Sequence, residues 1–426
     1  MKTTRVTLLT AAIVAFASNT GSVRADALQE RVAELEKQLL ALKQQLAQEK
    51  TQQQQKGVEV KKGTRFQYGG FIKHDAMWTD YDSGERATAS IGNDIYVPST
   101  VPVGGQGGDT RFDTHVKTSR FWFKTHTETD AGVVRSHIET DYLTAEGNER
   151  ITNSAQARLR HAYLAWDYSA NSSVLAGQTW STFFNVGTLP EAVDFIGPTA
   201  GALFSRQTQL RWTTKIANGS LMLAAENPST SLYDGGAGIS DNNYDDNSMP
   251  DVIARYNGKS GDLSYSVAGL VREISYQDST ADLDDDEFGF GVSIAGKWML
   301  GKDDLKFMLS HGNLGRYIAL NAFRDGAIET DGSIDLVEQT GGFIAYRHWW
   351  NNQWRSTLSY AMTVSDNPDT VAATTNETVR NASINLLYSP TRNLSFGGEL
   401  MVADRELENG DEGDMKRLQL MAKWAF

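Results

Sequence analysis

The chain has 426 residues, no cysteine and a formal net charge of -13, with a mean hydropathy of -0.41. The lack of cysteine excludes disulfide and thiolate chemistry, and the acidic balance argues against a nucleic-acid partner. The length fits one large domain or several small ones.

The first segment has the pattern of an export signal. Residues 6–17 are the only strongly apolar run, and the run is too short to span a bilayer. Two cations precede it, and the small-residue pattern VRA follows at 23–25. We therefore predict a secretory signal peptide over 1–25. Removing its three cations takes the net charge from -13 to -16.

A short coiled coil is predicted next, over residues 26–50. Apolar residues recur with alternating spacings of four and three: Leu28, Val32, Leu35, Leu39, Leu42 and Leu46. These are a and d positions of about three heptads. A single amphipathic helix lying on a surface is the alternative, although such helices have a wider apolar face. Since so few heptads are marginal alone, we expect a larger assembly to hold the helices together. Residues 51–65 are predicted to be a polar linker.

From residue 66 the periodicity changes to alternation, which is typical of strands with one apolar and one polar face. Short turns alternate along the chain with long polar stretches, as in an outer-membrane barrel. The long stretches are 83–110, 145–154, 181–205, 228–249, 275–286, 312–336, 365–378 and 406–414. The predicted fold is therefore all-β, a 16-stranded antiparallel transmembrane β-barrel over 66–426, preceded by the coiled coil, with both termini in the periplasm.

Aromatic residues support this placement. Tyrosines and tryptophans lie beside the predicted short turns, as an interfacial girdle requires: Tyr168, Trp212, Tyr256, Trp298, Trp350, Trp354, Tyr388 and Trp424. Ordinary core aromatics of a soluble β-domain are the alternative.

The last strand alternates between apolar and mostly polar positions. Its apolar set is Leu418, Leu420, Ala422, Trp424 and Phe426. This pattern resembles the closing strand of outer-membrane proteins, in which the end of the strand is the signal for the barrel assembly machinery. Trp424 and Phe426 are thus predicted to form the assembly signal, although an ordinary antiparallel edge strand can show the same alternation.

A barrel of this size leaves an aqueous channel, which points to transport. We predict that residues 181–205 form a constriction loop, because they carry four phenylalanines and two prolines, unlike a solvated loop. Glu191 and Asp194 would be its acidic groups.

Basic residues are predicted to face the lumen. The pore-lining candidates are Arg120, Arg135, Arg158, Arg160 and Arg211, each of which alternates with apolar neighbours. A guanidinium facing hydrocarbon is costly. Placed opposite Glu191 and Asp194, these arginines would create a transverse field that attracts small anions. They could equally be wall residues tied to acids, and the two roles can coexist.

Other functions have weaker support. A hydrolase needs an activated nucleophile, yet no Gly-x-Ser-x-Gly motif occurs; His161 is predicted to point outward near Asp167. We predict no enzyme activity, no cofactor and no metal site. The acidic run at 282–287 lacks calcium-loop spacing, which leaves bridging to lipopolysaccharide by divalent cations as a weaker hypothesis. A structural barrel that anchors the cell wall, with little conductance, is the alternative function.

Several motifs resemble those of the DcaP-like trimeric porins of Gram-negative bacteria. They are QYGGFIKHD at 67–75, TSRFWFKT at 118–125, TDAG at 129–132, RLRHAY at 158–163 and GQTWSTF at 177–183. The resemblance implies a homotrimer in the outer membrane with a periplasmic coiled coil. It also implies diffusion of small hydrophilic solutes, often carboxylated, past Arg120, Arg158, Arg160 and Arg211. The chain departs from the family in its wider loops, so the resemblance does not identify a particular solute.

Overall fold

The computed structural model describes residues 58–61, 63–86, 90–144, 147–148, 152–238, 242–244, 247–279 and 281–426. The predicted signal peptide and coiled coil lie outside the described residues. Part of the predicted linker is a strand, Val58–Lys61, which pairs with the residues that follow it. Within the described ranges, no helix is both long and apolar enough to cross a membrane.

Sixteen strands form the wall, numbered β1 to β16 along the chain. The second strand is in two pieces, and the full set is β1 Thr64–Tyr81, β2 Asp109–His115 and Arg120–Thr129, β3 Gly132–Asp141, β4 Arg158–Asp167, β5 Ser172–Trp180, β6 Arg206–Ile216, β7 Gly219–Glu226, β8 Asp251–Ser260, β9 Leu263–Asp278, β10 Leu283–Leu300, β11 Asp303–Gly312, β12 Glu338–Trp349, β13 Trp354–Asp366, β14 Asn376–Tyr388, β15 Leu394–Leu407 and β16 Glu412–Ala425.

Every strand pairs antiparallel with its neighbours in the chain, and β16 pairs with β1. That last pairing runs from Phe71 opposite Ala425 to Tyr81 opposite Met415. Gly70 and Phe426 add two backbone hydrogen bonds, at 3.2 and 3.1 Å. The sheet therefore closes on itself, and the predicted 16-stranded antiparallel barrel is confirmed. Closure removes the unpaired edges that a bilayer does not tolerate.

Side chains alternate across the wall as the sequence predicted. On β16, Leu418 and Leu420 are exposed to the outside by 38% and 43%, whereas Arg417 and Gln419 are 3% and 2% exposed. Exposed apolar side chains cover the outer surface of the other strands as well. Such a surface is stable only against lipid. Aromatic residues predicted beside the short turns lie on this outer surface. Two of them, Trp354 and Tyr388, stack with ring centroids 4.6 Å apart.

Short turns lie on one rim, at 130–131, 168–171, 217–218, 261–262, 301–302, 350–353 and 389–393. On the other rim, two predicted long connections are mostly strand: β9 and β10 leave only 279–282, and β15 and β16 leave only 408–411. These strands continue as hydrogen-bonded hairpins. Charged and polar residues predominate in the extensions, so the alternation of apolar and polar positions that marks a strand is too weak there to reveal them from the sequence.

Three long connections fold into the barrel and contact one another. They are 82–108, 313–337 and 181–205, and we call the last of these the inward loop. The amide of Tyr96 donates to Asp194 (3.0 Å), and the amide of Phe204 donates to the carbonyl of Tyr317 (2.8 Å). Phe183, Phe184, Tyr317 and Phe323 of this contact region are buried, and Phe195 and Phe204, which are partly buried, pack against them. Four short strands within the long connections form a separate sheet: Thr230–Gly235, Asn242–Tyr244, Gly326–Glu329 and Ile334–Leu336.

Candidate functional site

The inward loop crosses the lumen from β5 and is held by the opposite wall. Glu399 of β15 accepts hydrogen bonds from the amides of Val193 and Asp194, both at 3.0 Å. Asn381 of β14 donates to the carbonyl of Gly197 at 2.9 Å. Buried polar groups cost free energy unless they are paired. Detaching the loop would leave these groups of β14, β15 and the loop without their partners, so the bonds hold the loop against this wall.

Glu191 is clamped by two arginines of this same wall. Arg355 donates from Nε and Nη2 to the two carboxylate oxygens, at 2.6 and 2.5 Å, and Arg347 donates to Oε2 at 3.3 Å. Arg347 also pairs with Asp304. Burial raises the pKa of Glu191, but hydrogen bonds and charge from Arg355 and Arg347 outweigh burial and lower that pKa below its ordinary value. The carboxylate is thus committed to the far wall.

Asp194 is buried and accepts hydrogen bonds from backbone amides. These come from Tyr96, Ile196 and Gly197, at 3.0, 3.1 and 3.3 Å. The sequence predicted that Asp194 and Glu191 lie opposite the candidate pore-lining arginines. In the structure the hydrogen bonds of both acids come from other donors: Arg355 and Arg347 for Glu191, and backbone amides for Asp194.

Two of the predicted arginines are tied to carboxylates. Arg158 donates from Nε and Nη2 to Asp141, both at 2.9 Å. Arg160 is 1% exposed and bridges Glu139 and Asp141, at 2.7 Å to each. These bidentate contacts hold the side chains of β4 flat against β3. Both arginines therefore make the contacts with acids that a structural role in the barrel wall requires.

Two further arginines complete this group. Arg120 lies 3.6 Å from Glu139 and over the ring of Phe195, with 5.9 Å from Cζ to the ring centroid. Arg206, at the start of β6, lies over the ring of Trp180 at 4.7 Å. Among the described residues, Arg206 has no carboxylate partner.

We call Arg120, Arg158, Arg160 and Arg206 the arginine cluster. Three of these guanidinium groups contact the carboxylates of Glu139 and Asp141, and Arg206 contacts neither. Among the described residues, the four positive charges of the cluster thus meet two negative ones, which leaves two positive charges uncompensated. Two phenylalanines of the inward loop lie against the cluster: the ring centroid of Phe195 is 5.5 Å from Cζ of Arg160, and that of Phe204 is 5.7 Å from Cζ of Arg206. The contacts of the cluster with the inward loop are thus aromatic, and neither Glu191 nor Asp194 forms an ion pair with it.

A β-bulge redirects the chain at this point. Opposite β3, Thr140 pairs with Leu159 and Glu139 pairs with His161, so Arg160 is the extra, unpaired residue. His161 consequently faces inward, where its ring stacks on His137 at 5.3 Å. The prediction that His161 points outward is therefore wrong, because one inserted residue reverses the alternation beyond it.

The remaining two candidates lie apart from the cluster. Arg135 donates to Asp167 at 2.7 and 2.6 Å near the short-turn rim, and its side chain is 44% exposed. Arg211 has a buried Nε without a hydrogen-bond partner. Sequence reasoning missed Arg206, Arg347 and Arg355. Arg206 is the first residue of its strand, where alternation does not fix the direction of a side chain.

Comparisons with known proteins agree with this geometry. The family model of the DcaP outer membrane protein matches residues 22–426. The outer membrane channel DcaP of Acinetobacter baumannii is 25% identical, with a TM-score of 0.69 over 87% of this chain and 99% of that chain. OmpT of Vibrio cholerae is 10% identical, with a TM-score of 0.55 over 87% and 100%. Salmonella typhi OmpF is 10% identical, with a TM-score of 0.54 over 87% and 100%. No curated protein sequence matches the chain.

Proposed function

Because this chain belongs to the DcaP outer membrane protein family, we propose that it is a diffusion channel for small anionic solutes, carboxylates and dicarboxylates among them. Its place is the outer membrane, and its barrel has the porin fold. The finer proposal concerns selectivity, which we assign to the arginine cluster and to the constriction formed by the inward loop.

The uncompensated charge of the arginine cluster carries this proposal. Selectivity in a channel follows the charges at its narrowest part rather than the net charge of the protein. The overall charge of -13 would favour cations, yet the cluster retains two positive charges beside the inward loop. Low-dielectric walls such as Phe195 strengthen that local field.

Within the cluster, the arginines with free donors are the ones that we expect to contact solute. Arg158 and Arg160 spend their donors on Asp141 and Glu139. Arg206 has no such partner among the described residues, and Nε of Arg120 is a buried donor without an acceptor. A carboxylate passing between Arg120 and Arg206 would satisfy these donors.

We also propose a homotrimer, with residues 26–50 forming a periplasmic coiled coil. Three heptads are too few for a stable isolated helix, which favours assembly through the barrels. Native mass spectrometry of the detergent-extracted protein should give three chains per particle. Contacts with lipopolysaccharide and with the barrel assembly machinery, through Trp424 and Phe426, belong to the same proposal.

Planar bilayer recording tests the selectivity. Under a salt gradient, the wild type should show a reversal potential that favours anions, and small dicarboxylates should reduce its current. The double variant Arg120→Gln and Arg206→Gln should shift the reversal potential towards cations. The rim variant Arg135→Gln, which is the same chemical change outside the cluster, is the matched control. A reversal potential unchanged by the double variant would remove the cluster from the pathway, and a folded but silent barrel would favour the anchoring function.

A further inference from the structure

A second basic region lies at the short-turn mouth of the barrel, beyond the inward loop. A cavity of about 650 Å³ opens there between the turns 350–353 and 389–393 and the end of β16. Five cations line it: Lys73, Arg347, Arg355, Arg392 and Lys423. Glu191 is the one carboxylate among the described residues that line it. We call this the mouth cavity.

Three of its cations are already engaged. Lys73 donates to Asp75 and to the carbonyl of Val193, both at 2.7 Å. The guanidinium groups of Arg347 and Arg355 share Glu191. These contacts fix the geometry of the cavity and consume its negative charge.

The other two cations, Lys423 and Arg392, are uncompensated. Neither has a carboxylate partner among the described residues. Lys423 is half-buried, and its ammonium lies 4.2 Å from the ring centroid of Phe71. Arg392 is exposed at the tip of its turn. A half-buried ammonium that has lost part of its hydration gains most from an anion that enters the cavity.

Neutral groups complete a site for carboxylate. Ser389 and Ser395 line the cavity, with their hydroxyl oxygens 2.8 Å apart. Nη1 of Arg355 donates to Oγ of Ser389 at 2.9 Å, which orients that hydroxyl. One of the two hydroxyl protons is used in the bond between the serines, and the other is a fixed donor for an oxyanion at little entropic cost.

One aromatic ring separates the mouth cavity from the arginine cluster. The Phe71 ring has Lys423 at 4.2 Å and Arg120 at 5.0 Å. The two cationic regions are therefore neighbours that do not share a residue. An anion leaving Arg120 would meet Lys423 next.

We propose that the mouth cavity is a second anion-binding station for small carboxylates, anchored by Lys423 and Arg392. For its place on the transport route, the inference rests on the proposed function; the binding itself does not. Two sites in series suit conduction, because an anion held at the second site helps to release the one behind it through mutual repulsion.

Citrate, added to one chamber of a planar bilayer at a time, tests this station. Lys423→Gln should raise the half-blocking citrate concentration from one chamber by about ten-fold, the loss expected for one charge-assisted contact. From the other chamber the change should be much smaller. Lys416→Gln is the matched control, because Lys416 is an exposed lysine of the same strand that does not line the cavity. Equal block by citrate in wild type and Lys423→Gln would overturn the proposal.

Further arms keep the outcomes separable. If Lys423→Gln lacks the heat-dependent electrophoretic shift of a folded barrel, Arg392→Gln at the exposed turn is measured instead, and its unchanged block would overturn the proposal. If the barrel is silent, equilibrium dialysis with radiolabelled citrate replaces the electrical measurement, and binding lost in Lys423→Gln supports the station. The two proposals can also fail separately. If Lys423→Gln raises the half-blocking citrate concentration as expected, but the double variant of Arg120 and Arg206 leaves the reversal potential unchanged, the selectivity proposal is rejected and the second anion-binding station is supported.

Discussion

The two walls of the lumen use arginine in opposite ways. On the wall from β11 to β16, Arg347 and Arg355 meet Glu191 and Asp304, so the charges of these two arginines are balanced and the inward loop is held. On the wall from β2 to β6, the arginine cluster outnumbers its carboxylates by two. The difference teaches that the number of carboxylates within reach decides the role of an arginine. With enough carboxylates it holds the structure together, and with too few it adds a positive electrostatic field to the channel.

The largest expected effect separates paired from unpaired arginines within the cluster. Arg160→Gln removes the fully buried cation that bridges Glu139 and Asp141, and leaves these acids only the contacts with Arg120 and Arg158; it should lower the free energy of unfolding by about 3 kcal/mol. Arg206→Gln is the matched control; it strands no acid and should cost below about 1 kcal/mol. Urea unfolding in lipid vesicles measures both. Equal costs would mean that the two arginines do not differ as their contacts indicate.

The next prediction breaks the scaffold wall. Glu399→Ala removes the acceptor of two loop amides, and since each lost bond to a charged group is worth about 1.5–3 kcal/mol, the inward loop should detach. Single-channel conductance should then rise and anion preference should fall. Glu412→Ala, an exposed acid of β16, provides the control. A conductance equal to that of the wild type would show that the loop is held without Glu399.

A smaller effect is expected when the acid that the two arginines of the opposite wall share is neutralised. Glu191→Gln keeps the size of the side chain but frees positive charge on Arg347 and Arg355. Anion preference should increase, with a permeability ratio changed by about two-fold. Asp411→Asn at the opposite rim should leave the ratio as it is. A shift towards cations would contradict the clamp.

The same clamp predicts a pH dependence. Because the pKa of Glu191 is lowered from its ordinary 4.5, the stabilisation given by the clamp is present above that value and is lost as the pH falls through the lowered pKa. Recordings from pH 7 to 5 should therefore show no release of the clamp, and release should begin only below 4.5. In Glu191→Gln this low-pH transition should be absent.

The smallest effect is expected at the rim. Arg135→Gln breaks an exposed ion pair with Asp167, which is worth about 1 kcal/mol or less in water. Unfolding and reversal potential should both stay close to wild type. A large change in selectivity would place Arg135 on the solute pathway and would extend the arginine cluster to the short-turn side.

The fold followed from local patterns, whereas the site required long-range contacts. Alternation on β16 separated Leu418 from Arg417 correctly because burial on one face of a strand constrains every second residue. The same rule failed at His161, since a bulge depends on the partner strand. No local pattern of Glu191 reveals Arg355, which is far away in the chain and meets it only across the lumen.

Closure of the barrel has a consequence for the order of folding. Residues 71–81 find their partners only at 415–425, so the first strand keeps an open edge until the last has been released. Each of the other fifteen neighbouring pairs is joined by a connection of the chain. The junction of β1 and β16 is held by hydrogen bonds and side-chain packing alone. It is therefore the place where the finished wall would part first, and where an incoming strand of another chain could be accepted during insertion.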